Sequence, residues 1–153
     1  MDRSNEAPSA GVVRLADHRP TDHLVTTVML DVRLDEAEAI VTAEIAFTPR
    51  PGAPADAALV LDGDELELVS AELDGVVLGP DDYAADPQRF ELFAPPAAPF
   101  RLRLVTRLEP AKNTKLMGLY RTSGNWCTQC EAEGFRRITY FLDRPDVLAV
   151  YTT

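Results

Sequence analysis

Cysteine is nearly missing from this chain: of 153 residues, only Cys127 and Cys130 carry thiols. Two thiols cannot build the disulfide framework of a small secreted domain, which fits a reducing compartment and makes the cytoplasm the expected location. Histidine is as scarce, with only His18 and His23, both near the N-terminal end and without the spacing of a metal-ligand set. Long apolar runs are absent too. No stretch approaches the ~20 residues needed to cross a bilayer, and no basic segment followed by an apolar run of about 7 to 15 residues opens the chain. Positive charge is in deficit: 15 Lys and Arg stand against 25 Asp and Glu, for a net charge of -10. Such a chain repels phosphate backbones and anionic membrane surfaces, so nucleic acid and membrane are set aside as partners. Helical patterning is also lacking. No window keeps apolar residues at i, i+3, i+4 and i+7 across three turns, and the best short candidates are 134–142 and 146–150.

What is present is alternation. A chain of this length fits one domain that buries roughly 70% of its unfolded surface, so no cofactor is needed merely to fold. Residues 1–22 are polar and aperiodic and read as a mobile end followed by an extended arm, ahead of a domain spanning 23–153. From Leu24 the apolar residues Leu24, Val28, Leu30, Val32 and Leu34 fall on one face, with Thr26 among them. A polar turn at 35–38 leads into Val41, Ala43, Ile45 and Phe47, so the two segments read as an antiparallel hairpin. Short strands are expected at 58–61, 66–73 and 76–78, joined by the turns Asp62-Gly63 and Asp74-Gly75 into a meander. Residues 80–87 read as a loop and 89–93 as a strand. Phe100, Leu102, Leu104, Thr106 and Leu108 then alternate with Arg101, Arg103 and Arg107, and the apolar face of that strand must meet another sheet. The last residues, 147–153, return to a β-rich apolar pattern and stop as if inside a strand. The expected fold is mainly β: an antiparallel, twisted β-sandwich or saddle-shaped sheet of seven or eight strands.

The chemistry concentrates in 126–146. Read as a strand, 127–133 places Cys127, Gln129, Glu131 and Glu133 on one face and Thr128, Cys130 and Ala132 on the other. An amide and carboxylates displayed together suit an ammonium ligand, because hydrogen bonds to a cation are about twice as strong as neutral ones. Solvated strand carboxylates are the plainer account of the same residues. The C-x-x-C pair has no βαβ setting for redox work and no further ligands for zinc, leaving two small buried thiols, with neither metal nor disulfide. Arg136, Arg137, Asp143, Arg144 and Asp146 read as a local ion-pair network, Trp126, Phe135, Tyr140 and Phe141 as packing residues, and the acidic run 62–67 as a solvated turn lacking calcium-loop spacing.

Gln129-Cys130-Glu131, with Arg136-Arg137, Asp143 and Pro145 downstream, resembles the Q-x-E…R-R…D-x-P pattern of the zinc-dependent aminopeptidases of the gluzincin family. The continuous run CTQCEAEGFRRITYFLDRPDVLA carries the resemblance most strongly, and it extends weakly back to the first hairpin. The resemblance implies an N-terminal β-saddle domain, truncated at its C-terminal end, in which Glu131 binds the α-ammonium of a peptide substrate. It implies that Gln129 lines the pocket for the first side chain. It further implies zinc in the full-length enzyme, held by a following catalytic domain whose H-E-x-x-H motif is not in this chain, with that domain and peptides with a free N-terminus as partners. No residue of this chain is expected to be catalytic. The competing expectation is a free-standing β-sandwich interaction module.

Overall fold

The computed structural model of the chain describes residue 16 and residues 18–153. Most of the expected N-terminal arm, 1–22, lies outside the described residues. Eleven strands are present among the described residues: β1 His23–Leu34, β2 Ala39–Pro49, β3 Leu59–Asp62, β4 Glu67–Leu73, β5 Val76–Val77, β6 Tyr83–Asp86, β7 Arg89–Leu92, β8 Phe100–Leu108, β9 Gly118–Thr122, β10 Asn125–Gln129 and β11 Val150–Thr152. They form a six-stranded sheet ordered β11-β1-β2-β8-β4-β5, a three-stranded sheet β3-β7-β6 and the two-stranded β9-β10 ribbon. All pairings are antiparallel except β11, which runs parallel to β1 with Val28 opposite Tyr151. The mainly-β expectation holds. The surplus over seven or eight strands comes from short elements such as β5, β6 and β11.

Period-2 alternation builds the core. Val41, Ala43, Ile45 and Phe47 of β2 and Phe100, Leu102 and Leu104 of β8 are at most 3% exposed, and they share one cluster with Leu59, Leu61, Phe90 and Leu92 of the three-stranded sheet. The two sheets therefore bury each other's apolar faces, as the pattern of β8 required. On the opposite face, Arg101, Arg103 and Arg107 pair with Glu44, Glu72 and Glu67, and the two exposed pairs, those of Arg101 and Arg107, each stabilise by about 0–1 kcal/mol.

Four expectations are corrected. In β1 the ladder slips between Val25 and Thr27, where Thr26 forms a bulge. The buried positions before the bulge are His23 and Val25, so Leu24 and Thr26 do not share the core face of Val28. Asp74-Gly75 does form a hairpin turn, with φ of 49° and 82°. Asp62-Gly63 does not: β3 pairs with β7, β4 joins the other sheet, and the backbone of Asp62 bonds Phe141. Glycine is needed at 63 for space, since a Cβ there would sit 2.7 Å from the buried Tyr140 ring. Finally, the short helices expected at 134–142 and 146–150 reduce to a single 3-10 turn, Phe135–Arg137, and the loop expected at 80–87 contains β6.

Candidate functional site

The ribbon β9-β10 carries the residues of interest. Gln129 is the last residue of β10 and lies opposite Gly118 of β9. The strand ends there, so the expectation of a continuous strand through 133 is corrected. Cys130 leaves the ladder, 131–134 form a turn, and the Gly134 N–H closes it by donating to the Cys130 carbonyl at 2.8 Å. Gly134 has an ordinary φ of -95°, yet a Cβ on it would lie 2.6 Å from the Gln129 carbonyl oxygen and 2.8 Å from Cys130 Cα. The missing side chain lets the turn fold back onto the strand end.

Gln129 and Glu131 are brought together by this corner, though not as neighbours on one strand face. Both are exposed, and Gln129 Nε2 donates to the Glu131 backbone carbonyl at 3.3 Å. The two carboxylates of the E-x-E run differ. Glu133 lies 3.5 Å from Arg136, whereas Glu131 has no ion-pair partner within 4.0 Å among the described residues. The peptide bond between Glu131 and Ala132 is cis.

Downstream, the neighbouring arginines part company. Arg136 binds Asp143 through its backbone N–H at 3.0 Å and its Nε at 3.1 Å, and its Nη2 donates to the Asp143 carbonyl at 2.9 Å. Arg144 pairs with Asp146 at 2.8 Å. That much of the expected local network is present. Arg137 instead turns to Asp64 and Glu65, which also bind Lys115. The acidic run 62–67 is therefore an ion-pair partner rather than a solvated turn. Burial alone pushes the Asp64 carboxyl up, but hydrogen bonds from Arg137 and Lys115 outweigh it and hold the group below its ordinary range. For Glu65 the hydrogen bonds from Lys115 and then Arg137 act in the same downward direction. No signal within a local window announces this long-range pairing.

The aromatic residues pack as expected. Phe135 meets Phe141 edge-on at 5.0 Å and Tyr151 at 5.6 Å, and Tyr140 is 1% exposed with its hydroxyl donating to the Asp86 carbonyl at 2.7 Å. Trp126 is half-buried beneath the Arg121 guanidinium, 5.3 Å from the ring centroid. Cys127 and Cys130 are free thiols and half-buried, less enclosed than expected. Burial, then the charge of Asp143, pushes the Cys130 thiol up.

With this geometry in view, the model of the peptidase M1 N-terminal domain matches residues 26–153. The chain belongs to that family. It is 43% identical to aminopeptidase N of Caulobacter vibrioides over 140 residues, covering 92% of this chain and 16% of the relative. Against aminopeptidase N of Escherichia coli the identity is 41% over 139 residues, covering 90% and 15%. The chain thus spans about a sixth of the length of these relatives. Among solved structures, Legionella pneumophila aminopeptidase A in complex with aspartic acid matches with a TM-score of 0.80 at 30% identity, over 91% of this chain and 16% of that one. The M1 zinc metallopeptidase of Deinococcus radiodurans shares the fold, with a TM-score of 0.69 at 20% identity over 86% of this chain and 32% of that one.

Zinc does not fit the side chains at hand. Among the described residues no three His, Cys, Asp or Glu side chains are grouped to hold a metal ion. Asp64 and Glu65 are taken by cations, and the His23 ring packs edge-on against Phe100 at 5.9 Å.

Proposed function

We propose that this chain is the substrate-anchoring N-terminal domain of a zinc metallo-aminopeptidase that removes N-terminal amino acids from peptides. In this reading residues 23–153 form the domain and 1–22 an arm that precedes it. Glu131 binds the α-ammonium of the substrate, and Gln129 lines the pocket for the first side chain. Zinc would be held by a catalytic domain elsewhere in the same polypeptide, where it would supply Lewis-acid chemistry. The present domain is not catalytic alone. We place the protein in the cytoplasm, a reading supported by its two free thiols.

One observation carries the assignment: exposed Glu131, whose carboxylate has no ion-pair partner among the described residues, is held beside Gln129 by a turn packed to the limit of what glycine permits. The α-amine of a peptide has a pKa near 8 and is largely cationic at neutral pH. A fixed carboxylate anchors it through charge-assisted hydrogen bonds and disfavours N-blocked peptides, which lack the charge. Anchoring the terminus sets which peptide bond is presented for cleavage. Because Gln129 and Glu131 lie on open surface, the pocket needs a second wall, which the catalytic domain would provide.

The test is Glu131→Ala in the full-length enzyme. Loss of a hydrogen bond to a charged group, about 1.5–3 kcal/mol, predicts a KM for unblocked substrates raised roughly 10- to 150-fold. Glu133→Ala, which removes a carboxylate already paired with Arg136, serves as the control. An unchanged KM for Glu131→Ala overturns the anchor. Continuation of the reading frame into an H-E-x-x-H motif supports the enzyme reading, and a stop codon directly after Thr153 supports the interaction module.

A further inference from the structure

The ribbon β9-β10 hydrogen-bonds to neither of the other sheets. A two-stranded ribbon is marginally stable by itself, so side chains at its root must decide where it points. Asn113 Nδ2 donates to the Met117 and Leu119 carbonyls at 2.7 and 2.9 Å, and Arg121 Nη1 donates to the Glu36 carbonyl at 3.2 Å near the far end. A further polar tie is Arg137. Its Nε donates to the Met117 carbonyl at 3.1 Å, and its Nη1 and Nη2 bind Asp64 and Glu65 of the segment between β3 and β4. The guanidinium side chain is 5% exposed, whereas the carboxylates that satisfy it are 30% and 54% exposed.

Packing continues the chain of contacts. Gly118, at φ 70°, lies so close that a Cβ on it would be 2.5 Å from Arg137 Cβ. Gly118 is also the residue paired with Gln129 across the ribbon. Contacts thus run without a gap from Asp64 and Glu65 through Arg137 and Gly118 to the strand end that carries the candidate site. Arg is the residue type for this task, since its planar fork engages two carboxylates while Nε remains free for a carbonyl.

We propose that Arg137, clamped by Asp64 and Glu65, is the positioning residue that fixes the β9-β10 ribbon and thereby sets Gln129 and Glu131 for substrate. The second half of this statement rests on the anchoring role of Glu131. The clamp itself does not.

The experiment uses the full-length protein with two variants: Asp64→Asn/Glu65→Gln, which keeps every side chain's size, and Arg137→Lys, which keeps the charge but loses the fork. Amide hydrogen exchange of 118–129 is expected to speed up about tenfold or more in the double variant, and less in Arg137→Lys, while β2 and β8 amides stay unchanged. KM for unblocked substrates is expected to rise about threefold to tenfold with kcat nearly constant. Wild-type exchange in the ribbon, or acceleration only together with β2 and β8, overturns the clamp. Faster ribbon exchange with an unchanged KM overturns the positioning role. Failure of the anchoring reading shows up separately, as an unchanged KM for Glu131→Ala.

Discussion

Replacing Gly134 by alanine tests whether the turn geometry matters to the site. The residue sits at φ -95°, where alanine is at ease, so the change stabilises by about 0.4–1 kcal/mol through the unfolded chain. Space decides otherwise. A new Cβ would lie 2.6 Å from the Gln129 carbonyl oxygen and 2.8 Å from Cys130 Cα, both backbone atoms, where ordinary contacts begin at 3.4 Å. The strand end must therefore retreat by about 0.8 Å relative to the turn. Overpacking of this kind costs about 1–3 kcal/mol, which outweighs the entropic gain. The displacement falls on the residues flanking Glu131, and misplacement of a positioning group by about 1 Å can cost up to 100-fold in rate. In the full-length enzyme, Gly134→Ala is expected to lower kcat/KM for unblocked peptides roughly 10- to 100-fold, or about 1.4–2.7 kcal/mol. Gly79→Ala is the matched control, because a Cβ there meets only Asp82 Oδ2 at 3.5 Å. Steady-state kinetics on folded protein, verified by circular dichroism, decide the matter. A Gly134→Ala enzyme with wild-type kcat/KM refutes the link between this packing and the site.

The clamp also makes a pH prediction. Asp64 and Glu65 are held below their ordinary range in the folded state, so their stabilising contribution is present above about pH 4 and is lost as pH falls through the lowered values. Hydrogen exchange of 118–129, corrected for intrinsic rates, is expected to accelerate as pH falls below about 4 in the wild type and to stay flat in Asp64→Asn/Glu65→Gln. Cys130 supplies the other test. Because burial and then Asp143 push its thiol up, iodoacetamide is expected to alkylate it at pH 8 several-fold more slowly than an exposed cysteine in a peptide, as followed by mass spectrometry of the modified peptide. A peptide-like rate would refute the enclosure.

What was legible in the sequence is what local pattern encodes. The hairpin of β1 and β2, the buried face of β8 and the turn at Asp74-Gly75 follow from period-2 alternation and from the backbone freedom of one dipeptide. The rest depends on contacts between distant segments. Leu24 and Val25 are both apolar, so only pairing with β2 decides that the chain bulges at Thr26 and that Val25 faces inward. Gly63 reads as a hairpin glycine, yet its function is to admit the ring of Tyr140. The segment 83–86 lacks apolar alternation because β6 is mostly exposed and is recruited by β7.

The candidate site shows the same division more sharply. The family-like run identified Gln129 and Glu131, but strand periodicity placed them on one face of a strand that ends at Gln129. Gly134 explains the difference, because it brings the chain back against Gln129 at a distance no side chain allows. Arg136 and Arg137, adjacent and alike in sequence, acquire different tasks only through their partners. One binds Asp143 in the segment that follows, and the other reaches Asp64 and Glu65 between β3 and β4. A run of residues can thus nominate candidate groups for a site. The accuracy with which those groups are held is set by glycines and ion pairs whose partners lie elsewhere in the chain, and there the kinetic consequences of mutation should be sought.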